Sequence, residues 1–409
     1  MSTFARALRL SLLKSHFPAL HGLRVLAILT VVQAHVGFEL GARGWLRQDA
    51  PVYVISQRIW FGMDLFFFLS GFLIGTILLS PDARGVAGAL RFYARRSFRI
   101  VPLYYVVLTA LALAQPAGTL DTGRLALEYL YLTNYTDATR AVMVWGWSLC
   151  VEEHFYLLVP GIIALVLRLR SHRARIAWLA ALWLSGFAAR CFAAGSLRHG
   201  DPAEGFLKLY IPTHTRYDIL FAGVLLAYVW HTERPRVVAS MSRRGVRLAA
   251  VAVCLALFAS LMLVPPAALG GYFGLLMIGT VTGAAYLILV TTLITSTGKV
   301  ACLLGHRAFL YLATLGYGVY LVHMPLVRTL GLDAYLRLAI LHRLPQPVAF
   351  VLAVTIVFAA SLAAGYVLHL LVEKPALFAR DRLVPASPRA RTPESLLPRA
   401  ASCPAPEVR

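Results

Sequence analysis

About ten stretches of roughly 20 mainly apolar residues follow one another along this chain of 409 residues, and no other feature narrows its fold so far. They run near Leu20 to Leu40, Trp60 to Leu79, Ile100 to Ala114, Trp147 to Leu167, Ile176 to Phe192, Thr215 to Trp230, Leu248 to Val264, Tyr272 to Thr295, Ala308 to Val327 and Val348 to Leu371. Eight of them are long enough to cross a bilayer as a helix, and the two shortest, Ile100 to Ala114 and Thr215 to Trp230, need a few flanking residues to do so. An aqueous fold of ordinary size has no interior for them, because 59% of residues are hydrophobic and 14% are charged, against about 25% charged in soluble domains. The expectation is an all-α, polytopic transmembrane helix bundle of about ten spans over residues 20–379.

Lys and Arg number 39 against 18 Asp and Glu, a formal charge of +21. In a soluble protein that balance suggests nucleic acid. Here the bases sit mostly in short loops between apolar runs, which argues for membrane topology and against nucleic acid as a partner. Arg84, Arg91, Arg95, Arg96 and Arg99 lie between spans two and three, with further clusters after spans four and six. The positive-inside rule then places both termini in the cytoplasm. Residues 1–19 read as a basic cytoplasmic N-terminus with no signal peptide, the first apolar run acting as a signal anchor. Residues 380–409, rich in Pro and Arg, read as a disordered cytoplasmic tail. The five cysteines lack the clustering of a disulfide framework or a zinc site and read as small packing residues.

Ionisable residues inside spans are costly and are the default functional candidates. At about 1.5 Å per residue, His35 stands about 22 Å from the cytoplasmic start of span one, and His323 stands at a similar height in span nine. Asp64, Glu152, Glu153, Arg216 and Asp218 fall within a turn or two of the outer starts of their spans. These groups are therefore expected in one outer-leaflet layer, around a water-accessible cavity open to the periplasm, although snorkelling interface residues would read the same way. On the cytoplasmic side, Arg96 and Arg99 at i and i+3 share a helix face and suit a phosphorylated donor, with topological anchoring as the plainer reading.

Several motifs resemble the acyltransferase 3 family in order along the chain. Span one reads LHGLRVLAILTVVQAHVGF, with Arg24 and His35 like that family's arginine and histidine pairing. GMDLFFFLSGFLIG is similar to its DLFFxLSGFLI signature, and RRSFRIVPLYY to its RxxR segment. WSLCVEEHFYLLVP, LGYGVYLVHMPL and the final VEKP match further segments. His21 stands where the family usually has Asp, and Cys150 where a small residue is frequent.

The resemblance implies a bacterial inner-membrane O-acyltransferase. It would move an acyl group, commonly acetyl from acetyl-CoA, to a hydroxyl of a carbohydrate or lipid-linked envelope glycan, with no metal. It implies a catalytic role for His35, as general base or as a transient acyl carrier. Glu152, preferred over Glu153, would orient the imidazole, while Arg24, Arg96 and Arg99 would hold the donor. Asp64, Ser70, Glu153, Asp218, Tyr320 and His323 would support the acceptor site or a developing oxyanion. Two other readings stand beside it: a transporter or flippase of a glycan precursor, and an acyltransferase acting on a small secondary metabolite.

Overall fold

The computed structural model describes residues 10–12, 17–59, 61–197, 202–263, 273–329 and 344–385. Among them the secondary structure is helical, with no strand. Most of the basic N-terminus, Trp60 and residues 386–409 of the expected tail lie outside the described residues.

The main helices are α1 (Ala19–Ala42), α2 (Pro51–Arg58), α3 (Gly62–Leu78), α4 (Gly85–Leu113), α5 (Thr122–Tyr129), α6 (Trp147–Arg168) and α7 (His172–Ala194). They continue with α8 (Asp218–Ser242), α9 (Arg244–Leu263), α10 (Phe273–Ile294), α11 (Arg307–Thr329), α12 (Gln346–Leu368) and α13 (Lys374–Leu383). Among the described residues, nine helical stretches are long and apolar enough to cross a membrane. These correspond to all the expected spans but the sixth.

That sixth stretch is helical too, as α8, but Asp218 opens it and Glu233, Arg234 and Arg236 charge its far end. Eleven consecutive residues, Asp218 to Tyr228, are buried, so protein rather than lipid surrounds its first three turns. A helix wrapped by others does not need the apolar surface of one facing hydrocarbon.

The third span differs from expectation in extent. Arg91, Arg95, Arg96 and Arg99, expected in a loop, are part of the 29-residue α4. The helix runs through Gly88, packed against Ala83, and carries Pro102 without ending. The arginines are thus held by the span itself, at what is called below the arginine end.

The bundle is organised around α3 and α8. A Cβ on Gly71 would collide with the backbone carbonyl of Leu220, and one on Gly223 with that of Phe68. Only glycine lets two helix backbones approach so closely, the small-residue packing typical of membrane bundles. The helix α1 packs on α3 and α11, α11 on α12, and α8 on α7 and α10, while α9 lies outermost against α10. Of the cysteines, Cys150 and Cys254 are buried thiols and Cys191 is an exposed one. Cys302 is disulfide-bonded, so the packing reading fails there.

Candidate active site

A cavity of about 180 Å³ opens among α1, α3, α4, α6 and α11. Arg24, Arg96 and Arg99 line it together with Ser70, Glu152 and Tyr320. Three guanidinium groups thus face one space whose wall contributes a single carboxylate, an arrangement suited to phosphate or another polyanion.

The arginine end is braced by an ordered run of hydroxyls. Arg96 Nη2 donates to the Tyr156 hydroxyl, and its guanidinium lies 4.0 Å from that ring's centroid. Ser70 Oγ donates to Glu152 Oε1 at 2.5 Å and lies 3.1 Å from the Tyr156 hydroxyl. Ser70 gives its one proton to Glu152, and the Tyr156 hydroxyl, which accepts from Arg96, has its own proton to give to Ser70 or to Glu152. Glu152 is therefore engaged with Ser70 and the arginines. Among the described residues no hydrogen bond joins it to His35, whose orientation it was expected to set.

The partner of His35 is His323. His35 Nδ1 and His323 Nε2 are 3.0 Å apart, and His323 Nδ1 is 2.6 Å from the Tyr320 carbonyl. A carbonyl only accepts, so His323 Nδ1 carries a proton and its Nε2 presents a lone pair. His35 Nδ1 must then be the donor, which leaves the lone pair of a neutral His35 on Nε2. His323 is fully buried, whereas His35 is partly exposed.

The cavity and the histidine pair are neighbours but not one chamber, because His35 is not in the cavity wall. Arg24 and His35, eleven positions apart, lie on one face of α1 about 16 Å apart. Ser148 begins the cavity side of α6 two turns above Tyr156. Its Oγ is 2.5 Å from the Tyr320 hydroxyl, which also donates to the Trp145 carbonyl at 2.6 Å. Tyr320 precedes His323 by one turn of α11, and their rings are 5.5 Å apart. The Ser148–Tyr320 pair thus stands in the cavity wall one helical turn from His323.

Asp64, Arg216 and Asp218, expected in the layer of His35, form a separate group. Arg216 Nη2 pairs with Asp64 Oδ1, and Arg190 Nη1 with Asp218 Oδ2 at 2.8 Å, all four side chains being 0% exposed. The Asp218 carboxylate lies between Gly186 and Gly279, where any Cβ would strike it. The Arg216 guanidinium sits 4.6 Å from the Tyr210 ring and 5.7 Å from that of Phe67, and both rings pack on Trp147. Charges so neutralised among α3, α7 and α8 read as interhelical clamps, and none of them lines the cavity. Glu153, the neighbour of Glu152 on α6, is not in the cavity wall either.

The acyltransferase 3 family, described as an acyltransferase domain, matches residues 17–370, which takes in every residue of this site. The chain belongs to the acyltransferase 3 family. It carries that family's acyltransferase domain, and its helices make it a multipass membrane protein.

The chain is 24% identical over 341 residues to a peptidoglycan O-acetyltransferase, OatA, of Listeria monocytogenes serovar 1/2a, covering 77% of this chain and 50% of that protein. It is 26% identical over 340 residues to the putative peptidoglycan O-acetyltransferase YrhL of Bacillus subtilis, covering 76% and 49%. The O-acetyltransferase OatA of Staphylococcus aureus is 28% identical over 231 residues, 53% of this chain and 35% of that protein. The chain thus spans half or less of the length of these relatives. No solved structure matches it.

Within this domain several residues escaped the sequence reading. Tyr156 and Ser148 lie at i+4 and i−4 of Glu152, a spacing that stacks side chains on one helix face. Arg190 is a lone base within an apolar run, a standing signal that went unused. Tyr317 of the YGVYLVH segment also lines the cavity and donates to the Ile100 carbonyl at 3.1 Å.

Proposed function

We propose that this acyltransferase transfers an acyl group, acetyl in the simplest case, from acyl-CoA to a carbohydrate hydroxyl of a bacterial envelope glycan. The observation that carries this reading is one cavity lined by three arginines and by the Ser148–Tyr320 pair, with Tyr320 one helical turn from the His323 that pairs with His35. The names of the relatives support a glycan acceptor and an acetyl group. Both termini lie in the cytoplasm on the positive-inside rule, in the inner membrane, so the arginine end faces the cytosol and His35 the periplasmic half.

In this reading Arg24, Arg96 and Arg99 hold the phosphates of the donor, and the pantetheine arm runs along the cavity toward Tyr320. His35 Nε2 takes the proton of the acceptor hydroxyl while that oxygen attacks the thioester carbonyl. The carbon–oxygen bond forms, the carbon–sulfur bond breaks, and the proton passes from His35 to the leaving thiolate. The Ser148 hydroxyl, which gives its proton to Tyr320 because Tyr320 gives its own to the Trp145 carbonyl, is the cavity-side donor for the developing oxyanion once that pair opens.

Purified protein in nanodiscs should release CoA from acetyl-CoA only when a glycan acceptor is added, and should label that acceptor. Failure of every envelope glycan tested to gain an acetyl mass, in vitro and between wild-type and deletion strains, would remove the reading.

Two graded effects follow. Arg96→Ala and Arg99→Ala should each raise KM for acyl-CoA about ten-fold or more with a smaller change in kcat. Arg99→Lys should restore little, because a point charge does not reproduce a fork. Initial rates across donor concentrations report both. His323→Ala should lower kcat about a hundred-fold, since the tautomer of His35 is then unset. An unchanged kcat in that variant would show that the histidine pair is not used.

A further inference from the structure

The arginine end is tied to both terminal regions of the chain by a relay that the mechanism above does not use. Arg99 Nη1 pairs with Glu373 Oε1, a carboxylate 2% exposed. Glu373 closes a π-helical turn, His369–Glu373, set between α12 and α13. Such turns are rare, and they are found disproportionately at functional sites. The turn places His369 Nδ1 2.7 Å from Glu373 Oε2, with His369 wholly buried. The backbone N–H of Ser11 donates to His369 Nε2 at 3.0 Å.

The direction of this relay is fixed by what each group is able to give. An amide N–H only donates, so His369 Nε2 accepts, Nδ1 holds the ring proton, and Glu373 receives it on Oε2. The remaining carboxylate oxygen is turned to Arg99. Four groups from residue 11 to residue 99 are thereby held in one line, ending on a guanidinium that lines the cavity.

We propose that Glu373, oriented by His369, is a positioning residue for the donor: it fixes the Arg99 guanidinium so that its free N–H groups meet the donor's phosphate. The proposal rests on the reading of Arg99 as a donor ligand. A second effect of opposite sign makes it testable. A carboxylate beside Arg99 reduces the positive potential felt by an anion, so charge alone predicts that removing it tightens donor binding. Positioning predicts the reverse, because a long, rotamer-rich side chain released from its anchor must be ordered again by each incoming donor.

The experiment compares acetyl-CoA with acetyl-pantetheine, which carries the thioester but no phosphate, in nanodiscs containing the full chain. Glu373→Gln should raise KM for acetyl-CoA about ten-fold, change kcat by no more than about two-fold, and leave KM for acetyl-pantetheine unaltered. His369→Phe should behave the same way. His369→Gln, which keeps a donor and an acceptor, should lose less than His369→Phe. Use of acetyl-pantetheine at the normal rate shows that each variant is folded. A fall or no change in KM for acetyl-CoA in Glu373→Gln, while Arg99→Ala raises it, overturns the positioning role and leaves the donor site standing. An equal rise with both donors also overturns it, as a general effect of the helix junction. If Arg99→Ala itself leaves KM for acetyl-CoA unchanged, the donor-site reading fails and the role of Glu373 falls with it.

Discussion

Substitution of His35 by alanine is expected to lower acyl transfer about a thousand-fold or more while KM for acyl-CoA changes by no more than about three-fold. Two features of the geometry set this apart from a general loss of structure. His35 is partly exposed, and among the described residues its one hydrogen bond to another side chain goes to His323, so truncation leaves a small gap rather than an unpaired charge. The arginines line a cavity whose wall does not include His35, so the donor's phosphates should bind as before. Single-turnover transfer, with calorimetry of a non-hydrolysable acyl-CoA analogue, separates the two quantities. Full turnover in His35→Ala membranes would end the assignment of this imidazole to the chemistry.

The second large effect concerns stability. Arg216→Met should cost about 3–5 kcal/mol, because it strands the Asp64 carboxylate in a site with no access to water. The double variant Asp64→Leu with Arg216→Met should recover most of that loss, since a buried ion pair is often replaceable by apolar residues of similar volume. Melting temperatures in detergent across the four-member cycle give the coupling directly. If the single and double variants melt together, the pair is not the clamp described. If Asp64→Asn melts normally but transfers nothing, the carboxylate belongs to the acceptor site after all.

The apolar runs made the helical class legible, since length and composition alone decide whether a segment can span a bilayer. The exception, α8, shows what such a reading measures: it detects surfaces that face lipid, and the first turns of α8 face protein. The spacing of Arg96 and Arg99 likewise placed both on one helix face, and both line the cavity.

What could not be read was the choice of partners across helices. Rise per residue gives the height of His35, Asp64, Glu152 and His323 separately, but the rotation of each helix about its axis decides which of them meet. Glu152 turned to Ser70 and the arginines, and His323 took the place beside His35. Asp64 and Asp218 were claimed by arginines, one of which, Arg190, had drawn no notice. Glu373 lies in the VEKP motif, yet its link to Arg99 spans 274 positions of chain and depends on a π turn that residue types do not announce.

The meeting of α3 and α8 at Gly71 and Gly223 has a consequence for how such a fold is able to diversify. Two backbones in direct contact leave no side chain to trim or enlarge, so neither helix is free to roll or slide by a turn without collision. This crossing acts as the fixed axle of the bundle. Adaptation to a different acceptor must therefore be sought at the periphery, as in α9, where Cys254 is the one buried residue and whole faces are open to change.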